Sequence, residues 1–178
     1  MIRRLLPLLL LLGACSVDPT TGHLAGIGDP VRGAALVAPF RLGDTSRLAG
    51  DPVAAARAVI LLEFIDDAFR TDPRYRHDVS PANQQIIRRG RDEMRATIGI
   101  APDAPARPLI EELRDFANTL EAGSLARAEA ALSGPMFPLG AAATLQRLRN
   151  LPRLPRVSEA AGAATNEINR LDNQRRTI

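Results

Sequence analysis

Residues 51–70 read DPVAAARAVILLEFIDDAFR, and the fold class turns on this stretch. Asp51 is a natural N-cap, because a short acidic side chain accepts from the unpaired N–H groups at a helix start. Pro52 then takes the first helical position, where its missing N–H is no loss. Behind them Val53, Ala56, Val59, Ile60, Leu61, Phe64, Ile65, Ala68 and Phe69 cover most of a helical circumference, while Glu63, Asp66, Asp67 and Arg70 share one strip. A helix this apolar belongs at the centre of a domain, packed on several sides. Asp66 and Arg70, four residues apart, are spaced for an ion pair along that strip.

The same start signal returns at Ser80-Pro81, opening a helix that runs to about residue 98 and stops at Gly99, a C-terminal cap. Ile86, Ile87, Gly90, Met94 and Ile98 form its apolar face, with arginines mostly opposite. In 109–123, LIEELRDFANTLEAG, the residues Leu109, Ile110, Leu113, Phe116, Ala117 and Leu120 follow helical spacing closely. Ser124 opens a short helix ended by Gly134-Pro135, and another is expected over about 138–150. A last helix from Ser158 carries Val157, Ala161, Ala164, Ile168 and Leu171 as a narrow stripe. Such a stripe resembles a coiled-coil seam, which makes these five residues the candidate partner surface.

Composition agrees with helices. Only 3% of the 178 residues are aromatic, with one Tyr and no Trp, while Ala and Leu, the strong helix formers, dominate the 46% hydrophobic fraction. The expected architecture is all-α, a compact bundle of five or six helices over residues 51–178. Residues 15–50 place Gly or Pro every few positions without periodicity and read as a flexible tether. As a free coil it would span about 30 to 35 Å. Within it Leu36, Val37, Phe40 and Leu42 form an apolar patch that an extended strap could lay on the domain.

At the start, Arg3 and Arg4 precede an apolar stretch from Leu5 to Leu12, all leucine but for Pro7, then Gly13, Ala14 and Cys15. This is the three-part layout of a secretory signal, and its apolar run falls short of the roughly 20 residues that cross a bilayer. Leu12-Gly13-Ala14-Cys15 resembles the lipobox of bacterial lipoproteins. The resemblance implies cleavage between Ala14 and Cys15 and acylation of the Cys15 thiol and freed amine, so that residues 1–14 are removed. It covers only the first sixteen residues, and Ser16 resembles the outer-membrane form of the signal, with the domain facing the periplasm. Two or three acyl chains would hold the protein to membrane lipid almost permanently, at about 0.8 kcal/mol per buried methylene. With one cysteine in the chain, no intramolecular disulfide is available.

All 23 basic residues are arginine against 20 acidic ones, and loss of Arg3 and Arg4 with the signal leaves a formal charge of +1. A nearly neutral chain has no basic face with which to release counterions, so nucleic acid is not an expected partner. The absence of Trp removes the stacking surface that carbohydrate and single-strand readers use. Arg88, Arg89, Arg91 and Arg95 give one helix a basic side as a candidate contact for anionic headgroups, although Asp92 and Glu93 dilute it. Glu63, Asp66, Asp67, Asp72, His77 and Asp78 supply oxygen and nitrogen ligands without a calcium-loop spacing, and read as a solvated face rather than a metal site. His77 is the one candidate general base, and Asp78 and Ser80 lie too near in sequence to complete a triad with it. No cofactor motif is present. The expected function is a non-enzymatic envelope module that contacts another envelope protein. A periplasmic small-ligand binder or sensor is the alternative, and an enzyme resting on His77 the third choice.

Overall fold

A computed structural model describes residues 28–176, and the signal, Ala14, Cys15 and the first part of the tether lie outside that range. Among the described residues there are seven α-helices and no strand: α1 Pro30–Leu42, α2 Pro52–Thr71, α3 Pro81–Ile98, α4 Ala106–Glu121, α5 Leu125–Ala131, α6 Gly140–Arg149 and α7 Pro155–Arg176. The all-α class is as expected and the count is slightly higher.

Four helices close a ring in which α2 packs on α1 and α3, and α7 completes the circuit between α3 and α1. Side-chain pairings make each neighbour antiparallel. Glu63 and Asp66 of α2 meet Arg95 and Arg91 of α3, and Glu93 and Ser80 at the ends of α3 meet Val157 and Glu167 of α7. Ala35 and Arg32 of α1 meet Thr165 and Asp172. The outer flank of α2 carries α4, on which α5 rests, and α6 packs against α2, α3 and α5. The central position read for α2 holds, with twelve of its twenty residues buried.

Its N-cap forms as expected, Asp51 Oδ1 accepting from the Ala54 N–H at 2.9 Å. Gly99 ends α3 in the left-handed region at φ 87°, its N–H donating to the Arg95 carbonyl at 2.8 Å. That backbone conformation is easy only for glycine. Ser80 makes no side-chain cap. Glu167 of α7 replaces it, accepting from the Ser80 N–H and from Asn83 Nδ2, both at 2.6 Å. Glu93 of α3 returns the favour at the start of α7, taking the Arg156 and Val157 N–H groups at 2.9 and 3.2 Å. Each helix thus supplies the negative charge that the other's N-terminal dipole favours. Between these caps Gly90 lets α3 and α7 approach: a Cβ there would stand 2.6 Å from Ala160 Cβ and 2.7 Å from the Arg156 carbonyl oxygen.

The tether reading needs correction. Residues 30–42, expected as linker or extended strap, are the helix α1. Asp29-Pro30 is the same start signal as Asp51-Pro52, with Asp29 Oδ1 accepting from Val31 and Arg32 N–H at 3.0 and 3.2 Å. Its core face is made of Val31, Ala34, Ala35, Ala38 and Leu42, too small in the middle to stand out as a stripe. Gly33 and Pro39 further disguise it. Pro39 lacks the N–H that would reach the Ala35 carbonyl one turn back, and Thr165 Oγ1 of α7 donates to that oxygen instead, at 2.5 Å. A 3₁₀ turn, Thr45–Leu48, follows. Thr45 is fully buried there; its hydroxyl donates to the Pro152 carbonyl at 2.6 Å and accepts from the Leu154 N–H at 2.9 Å.

Candidate functional site

Among the described residues, an open cleft of about 520 Å³ lies where the start of α1, the end of α2 and the start of α4 converge. Val31, Phe64, Ala68 and Ile110 give it an apolar floor, and Asp67, Asp72, Arg74 and Arg107 stand on its walls. The wall charges are already matched. Asp67 lies 3.6 Å from Arg70 and 3.5 Å from Arg107, whose side chain is 79% exposed. Asp72 accepts from Arg74 Nη2 at 2.7 Å, Nε at 3.1 Å and its N–H at 2.9 Å. The side-chain bonds with Arg74 lead in holding the Asp72 carboxyl below its ordinary range. At the rim, the Tyr75 hydroxyl donates to Asp29 Oδ2, tying the 72–79 turn to the cap of α1. A ligand charge that meets these four groups must displace an ion pair, whereas the floor accepts apolar groups directly.

Beneath one wall lies a buried ionic layer between α2 and α3. Arg95 grips Glu63 with two bonds of 2.6 Å and turns its third nitrogen to the carbonyls of Pro102 and Ala104, both at 2.9 Å. Asp66, 2% exposed, accepts from Arg91 at 2.6 Å and Arg70 at 3.1 Å, so the expected Asp66–Arg70 pair is present. Burial raises the Glu63 carboxyl above its ordinary range even though both Arg95 bonds oppose it. At the far end of α3 the balance reverses. Burial pushes Glu167 up too, but bonds from Arg170, the Ser80 N–H and Asn83 together hold it below the ordinary glutamate range.

Several sequence expectations change here. Val157, Ala161, Ala164, Ile168 and Leu171 are not an outer seam: all five are buried, none more than 3% exposed, because α7 closes the ring between α1 and α3. Of the four arginines read as a basic face, Arg88 and Arg89 point to solvent, whereas Arg91 and Arg95 turn inward to Asp66 and Glu63. The acidic group is not a solvated face throughout, since Glu63 and Asp66 are buried against those guanidiniums. Among the described residues no set of three or more His, Cys, Asp or Glu is placed to hold a metal ion. His77 is exposed on its turn, where its Nε2 accepts from Arg76 at 2.9 Å, and Ser80 and Asp78 are engaged through their backbones with Glu167 and Arg170. Of the apolar patch, Leu42 is buried and Val37 half-buried, while Leu36 is 38% and Phe40 76% exposed.

The sequence did not point to the cleft, whose walls come from three separate segments and share no motif. No protein-family model, curated protein or solved structure matches the chain. Among the described residues no helix is long and apolar enough to cross a membrane.

Proposed function

We propose that the chain is a membrane-anchored envelope lipoprotein whose helical domain acts as a non-enzymatic interaction module at the periplasmic face of the outer membrane. The single observation that carries this reading is Leu12-Gly13-Ala14-Cys15 behind an arginine-led leucine run, in a chain with no other cysteine. The domain's partner is another envelope protein. Because the α7 stripe is used inside the ring, that contact falls to exposed faces, among them the outer side of α3 with Arg88 and Arg89. Metabolic labelling with a fatty acid tests the anchor. The wild-type chain should take up label and float with membranes after alkaline washing, and Cys15→Ser should do neither. Label retained by Cys15→Ser would sink the proposal.

The cleft favours a second reading, a small-ligand binder or sensor, because its volume of about 520 Å³ and its apolar floor suit a small molecule. A thermal-shift screen with apolar compounds should then find stabilisers whose effect Phe64→Arg abolishes. A flat screen would remove this reading.

A further inference from the structure

We infer that the outward face of α1, built on Leu36 and Phe40 with Arg41 beside them, rests on the anionic lipid surface that carries the anchor. This inference depends on the lipoprotein reading and adds to it how the domain sits.

Leu36 and Phe40 are one helical turn apart and so share a side of α1. Phe40, 76% exposed, has more of its surface in water than any other large apolar residue of the described chain. The opposite side of the helix is packed, so this exposure is not that of a loosely held segment: Ala34, Ala35 and Ala38 are fully buried. The Arg41 guanidinium lies over the Phe40 ring, 5.6 Å from its centroid. A cation beside an aromatic ring is the arrangement that suits a headgroup boundary, with the ring toward acyl chains and the charge at phosphate depth.

The charge on this face is compatible with anionic lipid. Residues 30–43 contain Arg32 and Arg41 and no acidic side chain, and Arg32 is paired with Asp172 of α7 at 2.8 Å, which leaves Arg41 as the cation this face offers. The carboxylates that flank them are engaged elsewhere, Asp29 with the cap of α1 and Tyr75, and Asp44 with Ser46 at 2.6 Å. An anionic surface therefore meets Arg41 directly, and the carboxylate that α7 places beside this helix, Asp172, is neutralised by Arg32.

Chain length supplies the proximity. Residues 16–29 separate Cys15 from α1, and a free coil of that length spans about 20 Å. The helix itself, at 13 residues, is about 20 Å long. Leu36 and Phe40 thus stand within reach of the bilayer holding the acyl chains, which makes even a weak apolar contact effectively intramolecular.

The chain has no Trp, so Phe40→Trp introduces a unique fluorophore at an exposed site. The full acylated protein would be placed in vesicles of phosphatidylethanolamine and phosphatidylglycerol with brominated acyl chains. Leu125→Trp is the control, 45% exposed on α5 and carried by α4 and α6. Flotation of the same vesicles reports the anchor separately. The expected result is a blue-shifted Phe40→Trp indole quenched several-fold more than the Leu125→Trp one, with quenching lowered by Arg41→Glu and in phosphatidylcholine vesicles. Protein that floats while both indoles are quenched equally would overturn the inference and leave the anchor standing. A blue shift without bromine quenching would assign the face to a protein or second copy and overturn it as well. Protein that fails to float would remove both readings.

Discussion

Glu63 and Glu167 are both out of reach of water, at 1% and 0% exposure, and yet their environments act on them in opposite directions. Glu63 faces the middle of the α2–α3 interface and is answered by a guanidinium that must itself be stripped of water. Glu167 faces the N-terminus of α3 and is answered first by a half-exposed Arg170, then by the Ser80 N–H and the Asn83 amide. A partner charge that keeps part of its hydration, helped by a backbone N–H and an amide, stabilises a buried carboxylate without a second fully desolvated charge, whereas the Glu63–Arg95 pair desolvates two. The difference assigns different work to the two sites. The N-terminal one caps α3 and favours ionisation, and the central one locks α2, α3 and the 100–104 connector in register.

The sharpest way to break this contrast is to remove one member of the central pair. Glu63→Ala strands Arg95 in the core and should lower unfolding free energy in urea by about 3 to 5 kcal/mol. Replacing both, Glu63→Leu with Arg95→Leu, should recover most of that loss. A double variant as unstable as the single one would mean that Arg95's bonds to the connector, not its charge, dominate. Glu167→Ala should cost less, about 2 to 3 kcal/mol, since Ser80 and Asn83 lie near solvent and can be rehydrated.

Acid titration separates the two sites by sign. Glu167, held below the ordinary value, contributes stability that is present above that value and is lost as pH falls through its folded value. Glu63, raised, contributes in the opposite sense: its term is complete below the ordinary value and declines as pH rises through the folded one. Denaturation between pH 3 and 7, a window of about four units around the glutamate range, should show a flatter acid limb for Glu167→Gln than for wild type. An unchanged limb would refute the capping role.

Two smaller effects extend the comparison to neutral and unpaired groups. Thr165→Val leaves the Ala35 carbonyl without its donor and should cost about 1 kcal/mol, measured by the same denaturation. Restoring the N–H with Pro39→Ala should shrink that cost. Glu112 Oε2 is buried without a hydrogen-bond partner among the described residues, and burial alone raises its carboxyl. Glu112→Gln should therefore change stability by no more than about 0.5 kcal/mol.

Much of the helical frame was legible because it was written in capping chemistry: Asp51-Pro52, Ser80-Pro81 and Gly99 bound α2 and α3 within a residue of where they lie. What failed was partnership. The spacing of Val157 to Leu171 announces an apolar stripe and says nothing of whether it meets this chain or another. Arg91 and Arg95 read as surface residues because arginine usually is, and only the apposition of α3 to the acidic strip of α2 turns them inward. Helix α1 was hidden by Pro39, whose lost hydrogen bond is repaired by Thr165, 130 positions from Ala35 in the chain. A repair made at that distance leaves no local mark. The cleft is illegible for the same reason, being a junction of helix ends rather than a segment.

The seam between the first and last helices also sets an order of events during synthesis. Val31, Ala34, Ala35 and Ala38 are made well before the α7 residues that complete their wall, Thr165 lying 130 positions after Ala35 and Asp172 140 after Arg32. A chain grows at about 5 to 20 residues per second, so α1 waits several seconds for the residues that close its side of the ring. An interrupted or C-terminally trimmed product therefore exposes α1's alanine-lined side, which gives quality-control proteases a direct mark of incompleteness.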